Sequence, residues 1–218
     1  MQMLKKVISF SLWGNNPKYT IGAIRNAELA LEIYPGWMCK FFIAKDVNQN
    51  IIEKLYTYPN TLFDLRNVSG DWRSMFWRFE TAYDEDIDIS IFRDTDSRLN
   101  TREKPAVDEW LNSDKTFHIM RDHPYHNFPI LGGMWGYKNN NKYPIKDLLT
   151  NFEQQDQYGN DYKFFTEKLY PLIGDDKIVH DPFFEKKDFP TPRQNQEFVG
   201  DVFDENDIRH PLFYTLIK

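Results

Sequence analysis

The spacing of apolar residues switches repeatedly along this chain between a run of one strand's length and a helical period, and the switching predicts the architecture. Residues 5–12, Lys-Lys-Val-Ile-Ser-Phe-Ser-Leu, read as a first buried strand that stops at the turn formers Trp13-Gly14-Asn15-Asn16-Pro17. Over residues 19–34, Ile21, Ile24, Leu29, Leu31 and Ile33 recur at helical spacing, and Pro35-Gly36 closes the segment. A second apolar run at 39–44 is followed by a short helical pattern at 50–58, ended by Pro59. Residues 61–65 then read as a strand, 72–83 as an aromatic helix and, after Asp84-Glu85-Asp86, 87–92 as a fourth strand. Strands that alternate with helices of this length predict a mainly parallel sheet covered on both faces, an α/β domain. Further on, the pattern predicts a helix at 101–112, with Thr101 as cap and Glu103 in its first turn, and a strand at 116–120. A loop at 121–129 leads to a glycine-rich strand at 130–137, helices at 147–152 and 161–170 and a short strand at 177–180. From Asp181 onward several prolines and weak periodicity predict a tail that wraps or lids the domain.

Composition narrows the function. A chain of 218 residues buries a sizeable core without disulfides, and one domain is the expected count. The single cysteine, Cys39, lies in an apolar run, so neither a disulfide framework nor a thiolate metal site is available, and a reducing compartment such as the cytoplasm is expected. No apolar segment is long enough for a signal core or a membrane span. The net charge of −6 argues against nucleic acid held along a broad surface, but leaves room for a metal that recruits a diphosphate. Aromatic residues make up 17%, enough both for a Phe- and Tyr-rich core and for surface that stacks on a base or on sugar rings.

The chemistry concentrates at Arg93-Asp94-Thr95-Asp96-Ser97-Arg98, directly after the fourth strand. In an α/β sheet the crevice outside the carboxyl ends of the strands is where ligands bind. Two carboxylates one residue apart there suit a hard cation, Mg²⁺ or Mn²⁺, which fills its other positions with water and phosphate oxygens. Arg93 and Arg98 either contact phosphate or neutralise nearby acids.

These residues, with Lys104-x-Ala-Val-x-Glu-Trp-Leu, His118-Ile-Met-Arg-Asp-His-Pro and Gly132-Gly-Met-Trp-Gly, resemble the small GT-A glycosyltransferases found in large DNA viruses and in bacterial glycan clusters. The resemblance runs from Trp13-Gly14 to Phe198-Val199-Gly200. It implies a single Rossmann-like GT-A domain, with residues 1–98 as a nucleotide-binding half ending at the acidic motif and 99–218 as the acceptor side and tail. It further implies a nucleotide-sugar donor, a UDP-sugar by that likeness, a glycan or other hydroxyl acceptor, and a bound Mn²⁺ or Mg²⁺. Carried over, Asp96 is a metal ligand, Asp94 contacts the ribose or the metal, and His180 is the third ligand, with His123 and His126 as competitors. Thr95 and the Gly132-Gly133 backbone would border the donor, although a strand bend also explains the glycines. Trp13 and Gly14 would border the nucleoside pocket, unless the indole is a core residue. Arg78, a cation in an aromatic helix, needs a partner: donor phosphate or ribose, or an internal carboxylate. Asp161 and Asp122 are the acids expected to face the acceptor, with helix capping as the plainer role for Asp161.

Two other classes compete. A haloacid-dehalogenase-like, Mg²⁺-dependent phosphatase would use Asp94 and Asp96 as nucleophile and acid and Gly174-Asp175-Asp176 as later ligands, yet three βα units already precede the motif. A carbohydrate-binding module with the same fold and no turnover is the third reading.

Overall fold

The computed structural model describes residues 4–217. Its elements follow in the order β1 (Lys6–Leu12), α1 (Pro17–Ile33), β2 (Met38–Ala44), α2 (Gln49–Tyr56), β3 (Thr61–Arg66), a 3₁₀ helix (Trp72–Tyr83) and β4 (Ile89–Phe92). They continue with α3 (Glu103–Leu111), β5 (Phe117–Met120), β6 (Trp135–Lys138), α4 (Ile145–Asn151) and α5 (Asn160–Phe164). A π-helical turn (Phe165–Leu169) joins α5 to α6 (Tyr170–Ile173), and β7 (Lys177–His180) and α7 (Pro211–Tyr214) complete the chain. One seven-stranded sheet has the order β3-β2-β1-β4-β6-β5-β7. Only β6 runs against its neighbours, pairing antiparallel with both β4 and β5. The mainly parallel, doubly covered sheet expected from the sequence is therefore present.

Alternation along β1 divides the core. Ile8, Phe10 and Leu12 pack in one cluster with Ala23, Ala27 and Ala30 of α1, whose small side chains let the helix lie close to the sheet. The other face is filled by aromatic rings, among them Phe76, Phe79, Phe164 and Phe165, and Phe92 stacks on Trp135 with centroids 4.0 Å apart. Ser9 and Ser11 interrupt this second face of β1, and both are buried. They find their partners on the 3₁₀ helix: Ser9 Oγ donates to the Arg78 carbonyl at 2.7 Å, and Ser11 Oγ accepts from the Arg78 N–H at 3.0 Å.

That docking helps explain why residues 72–83, expected to form an aromatic helix, are wound as consecutive 3₁₀ turns. Met75, Arg78 and Thr81, and beside them Phe76, Phe79 and Ala82, recur every three residues and are all buried. Three residues per turn keeps both rows facing the sheet. The expected glycine-rich strand at 130–137 is also shorter, with pairing confined to Trp135–Lys138.

The loop after β4 is held by α1 from behind. Asn26 donates to the Ser97 carbonyl at 2.9 Å and accepts from the Leu99 N–H at 3.0 Å. Gly22 lies directly against the Thr95 carbonyl, where a Cβ would collide with backbone. From Asp181 onward the tail wraps back across the carboxyl end of the sheet: Val202 bridges to Ser97, and the Phe203 N–H donates to the Asp96 carbonyl at 2.9 Å. No helix of the described residues is long and apolar enough to cross a membrane.

Alanine is the better helix former, so Gly22→Ala in a neutral helix position would stabilise by roughly 1 kcal/mol. Here the collision with Thr95 reverses the sign, and urea unfolding of Gly22→Ala is expected to show a loss of about 1–3 kcal/mol. An unchanged or raised midpoint would show that α1 does not press on this loop.

Candidate active site

A cavity of about 490 Å³ opens at the carboxyl ends of β1 and β4. Its walls include Trp13 and Gly14 after β1, Arg78 from the 3₁₀ helix, Asp94, Thr95 and Asp96 after β4, Gly132 and Gly133, and Asp161 from α5. Nine of the residues singled out from the sequence are thus brought together. Phe198, Gly200, Val202 and Phe213 of the tail close the remaining side, as expected of a lid.

Arg78 is the centre of this arrangement. Only 5% exposed, it forms an ion pair with Asp94, donates to the Arg93 carbonyl at 3.1 Å and approaches Asp161 to 3.8 Å. The partner left open on the sequence is therefore internal, a pair of carboxylates at the cavity wall. The same contacts account for both glycines. A Cβ on Gly132 would strike Asp161 and Arg78, and one on Gly133 would strike Asp94. Close approach of backbone to charged side chains, not a left-handed conformation, is the reason for this pair. Gly14 is the converse case, with φ +65° in the turn that ends β1 and open space around it.

The carboxylates differ in their surroundings. Asp94 keeps almost half of its side chain exposed, whereas Asp96 is 15% exposed and pairs with Lys18 Nζ at 2.7 Å. Burial, with the Asp94 charge next, raises the Asp96 pKa above the ordinary carboxylate value, and Lys18 works against the shift. Asp161, 5% exposed, is pushed up to about 6, by burial first, with Arg78 opposing and Asp94 adding to the rise. Its Oδ1 accepts from the Tyr162 N–H at 3.1 Å, so the residue also serves the first turn of α5. Trp13 is partly buried and meets Trp72 edge-on at 6.1 Å, which makes it a wall of the cavity and not a sealed core residue.

Several expectations are corrected. Asp122 is fully buried and outside the cavity; its oxygens accept from Arg102 at 2.7 and 3.0 Å, from Arg193 at 2.6 Å and from the Val199 N–H at 3.0 Å. It is a structural anchor for the tail, with no face left for an acceptor. His180 also lies outside the cavity, at the end of β7, three strand positions or roughly 14 Å from β4. Its Nδ1 is 2.9 Å from His118 Nε2, and its Nε2 is 3.6 Å from Glu109. His123 and His126 do line the cavity, but both use Nδ1 to accept a backbone N–H, from Tyr125 and Asp122 respectively. A metal-ligating imidazole carries its proton on the nitrogen that does not bind metal, so this pattern does not suit ligation through Nε2. Arg93 pairs with buried Glu103 and Arg98 with Asp207, so neither reaches the cavity. Asp176, a ligand in the phosphatase reading, precedes β7 and is tied to Lys142, Tyr143 and the Thr116 N–H, at the end of the sheet opposite Asp94.

Among the described residues no three histidine, cysteine or acidic side chains converge on one point. Asp94 and Asp96 offer hard oxygen donors beside each other, enough for a cation of the Mg²⁺ or Mn²⁺ type that keeps waters and takes phosphate oxygens. Lys18, Asn26, Ser9 and Ser11 shape this site without having been read as parts of it. For the last three the signal is a polar residue at a buried position of an apolar element, the period of β1 for the serines and the alanine face of α1 for Asn26, whereas Lys18 gives none.

Known structures share this arrangement of elements. A glycosyltransferase involved in the glycosylation of the major capsid of PBCV-1 is 20% identical over 82% of both chains, with a TM-score of 0.51. The galactosyltransferase LgtC, solved with donor and acceptor sugar analogues, is 13% identical over 81% of this chain and 73% of its own, with a TM-score of 0.54. The chain has the GT-A fold. A 4-diphosphocytidyl-2C-methyl-D-erythritol synthase from Anaerococcus prevotii is similar to the same GT-A domain at 11% identity, over 86% of this chain and 91% of that one, with a TM-score of 0.54. At these identities the likeness is one of fold. No protein-family model and no curated protein sequence matches the chain.

The raised Asp161 pKa has a consequence for stability. Because it lies above the unfolded value, the carboxyl's stabilising contribution is complete below that unfolded value and is lost as pH rises through about 6. Asp161→Asn is therefore expected to be more stable than the parent at pH 7.5 by about 1–3 kcal/mol, with the gain vanishing towards pH 4. Urea unfolding at both pH values checks this, and an equal difference at the two would contradict it.

Proposed function

We propose that this GT-A domain is a metal-dependent glycosyltransferase that moves a sugar from a nucleoside-diphosphate sugar, preferably a UDP-sugar, to a hydroxyl of a glycan. The observation that carries the proposal is the convergence of Asp94, Asp96, Arg78 and Asp161 on one cavity against the bare Gly132-Gly133 backbone. The fold shared with two glycosyltransferases supports it. In this reading residues 1–98 serve the nucleotide, with Trp13 and Gly14 beside the nucleoside, and the second half of the chain serves the acceptor.

Asp94 and Asp96 are the residues that would hold Mn²⁺ or Mg²⁺ against the donor diphosphate. When bound, the cation neutralises charge that develops on the leaving nucleoside diphosphate. Arg78 keeps Asp94 and Asp161 in fixed relation, and the glycine backbone lets the donor sugar lie close to both. In the transfer, the bond from the anomeric carbon to the diphosphate oxygen breaks as the acceptor oxygen bonds to that carbon. Asp161 takes the acceptor's proton, a task that suits a carboxyl whose pKa is pushed up to about 6 and which is ionised at neutral pH.

The test is release of free nucleoside diphosphate from a panel of nucleotide sugars with Mn²⁺ and glycan acceptors. Asp96→Ala and Asp161→Asn are each expected to lower turnover by at least about 10²-fold. Asp96→Ala should also abolish the Mn²⁺-dependent part of the rise in melting temperature that the nucleotide produces. Undiminished turnover in Asp96→Ala would remove the metal from the account. Release of pyrophosphate, or of phosphate from simple monoesters, would replace sugar transfer with a different reaction.

A further inference from the structure

The wall of the cavity formed by residues 123–131 and 158–162 contains an imidazole, His126, that the proposed reaction does not use. His126 Nδ1 accepts a hydrogen bond from the Asp122 backbone N–H at 3.1 Å, so that nitrogen carries no proton and the imidazole's single hydrogen sits on Nε2. Burial, with His123 and Arg193 next, lowers the ring's pKa to about 3, which favours the neutral form at neutral pH. The ring is enclosed by protein but borders the cavity, and no described residue accepts a hydrogen bond from Nε2. Asp122 itself is immobilised by Arg102, Arg193 and Val199, so the N–H that sets this tautomer is fixed.

The same cavity is lined by aromatic surface. Phe128 stacks on Tyr162 with centroids 4.3 Å apart at 19°, and Tyr158 meets Tyr162 edge-on at 6.4 Å. Phe128 is 38% and Tyr158 67% exposed, although all three rings line the cavity. The charge on the walls is unbalanced in one direction. Asp94, Asp96 and Asp161 are carboxylates, and the one lysine or arginine among the lining residues is Arg78, already committed to Asp94 and Asp161. A phosphorylated or carboxylated ligand on the aromatic side would meet like charge without a free cation. A neutral sugar would not: its C–H faces pack on aromatic rings and its hydroxyls accept hydrogen bonds.

We infer that His126, Phe128 and Tyr158 form a subsite for an uncharged pyranose, with His126 Nε2–H donating to one of its hydroxyls. On the transferase reading, on which the term rests, this sugar is the acceptor. The gripped hydroxyl is then a non-reacting one, because the reacting oxygen must give its proton to Asp161. Asp122 becomes a positioning residue acting through His126.

Saturation-transfer NMR on the full chain, with and without UDP and Mn²⁺, tests this with methyl pyranosides of neutral hexoses and with the corresponding uronates and hexose 6-phosphates. The neutral glycosides are expected to bind and the anionic ones to bind at least about 10-fold more weakly. His126→Ala is expected to weaken the neutral glycosides by about 10-fold, with His126→Gln, which retains an N–H donor, recovering part of the loss. Phe128→Ala, at an exposed position, should weaken them as well if His126 variants fail to fold. Tight binding of the anionic sugars, or no effect of Phe128→Ala and His126→Ala on glycoside binding, would overturn the subsite. Glycoside binding that needs His126 in a chain that binds no nucleotide would keep the subsite and discard the transferase.

Discussion

A buried guanidinium with two carboxylates is the constraint on which the rest of this structure turns. Removing Arg78 from water is costly unless its charge is compensated: Asp94 and the Arg93 carbonyl accept its hydrogen bonds and the Asp161 carboxylate lies 3.8 Å away, while its buried Nε has no partner. The matching extends backwards to Ser9 and Ser11, which fix the Arg78 backbone and with it the 3₁₀ winding of the whole segment. It extends forwards to Gly132 and Gly133, where any side chain would displace the charges. Strand, helix and loop are thus tied to one cation, and the cavity inherits a fixed floor.

That floor has more negative than positive charge. Lys18 and Arg78 answer Asp96 and Asp94, while Asp96 and Asp161 both sit above the ordinary carboxylate range because burial penalises their ionised forms. On the proposed reading, a divalent cation held by Asp94 and Asp96 would offset that penalty and bring in the diphosphate that the cavity, with no free basic cluster among its lining residues, does not attract by itself. The tail completes the enclosure through Val202 and Phe203, which bond to the acidic loop, and through Asp122, which collects Arg193 and Val199 from it. Binding at the floor and closure by the tail are therefore mechanically adjacent.

Much of this was legible in the sequence, for identifiable reasons. The alternation of apolar periods located the parallel strands, and the position of Asp94-Thr95-Asp96 after β4 put it where such sheets place their sites. Arg78 stood out as a charge among aromatic residues and proved to be the pivot. What failed was assignment by residue type alone. Asp122 and His180 have the right chemistry, but arginines enclose the first and β6 and β5 separate the second from β4. The 3₁₀ winding was hidden because Trp72, Met75, Phe76, Phe79 and Tyr83 recur at spacings of three and four, the pattern of an α-helix, and only the serines across the interface favour the tighter turn. Lys18 was invisible because its partner is 78 residues away in the chain and only the docking of α1 brings them together.

If Asp94 and Asp96 hold a metal as proposed, Asp96 exchanges Lys18 for it when the donor binds, while Arg78 stays against Asp94 and Asp161. Anomalous scattering from crystals grown with Mn²⁺ and UDP measures this directly. The account predicts one manganese peak shared by the two carboxylates and the UDP diphosphate, with Lys18 no longer bonded to Asp96 and Arg78 still against Asp161. A diphosphate bound with no peak at those carboxylates, and with Lys18 still bonded to Asp96, would contradict it.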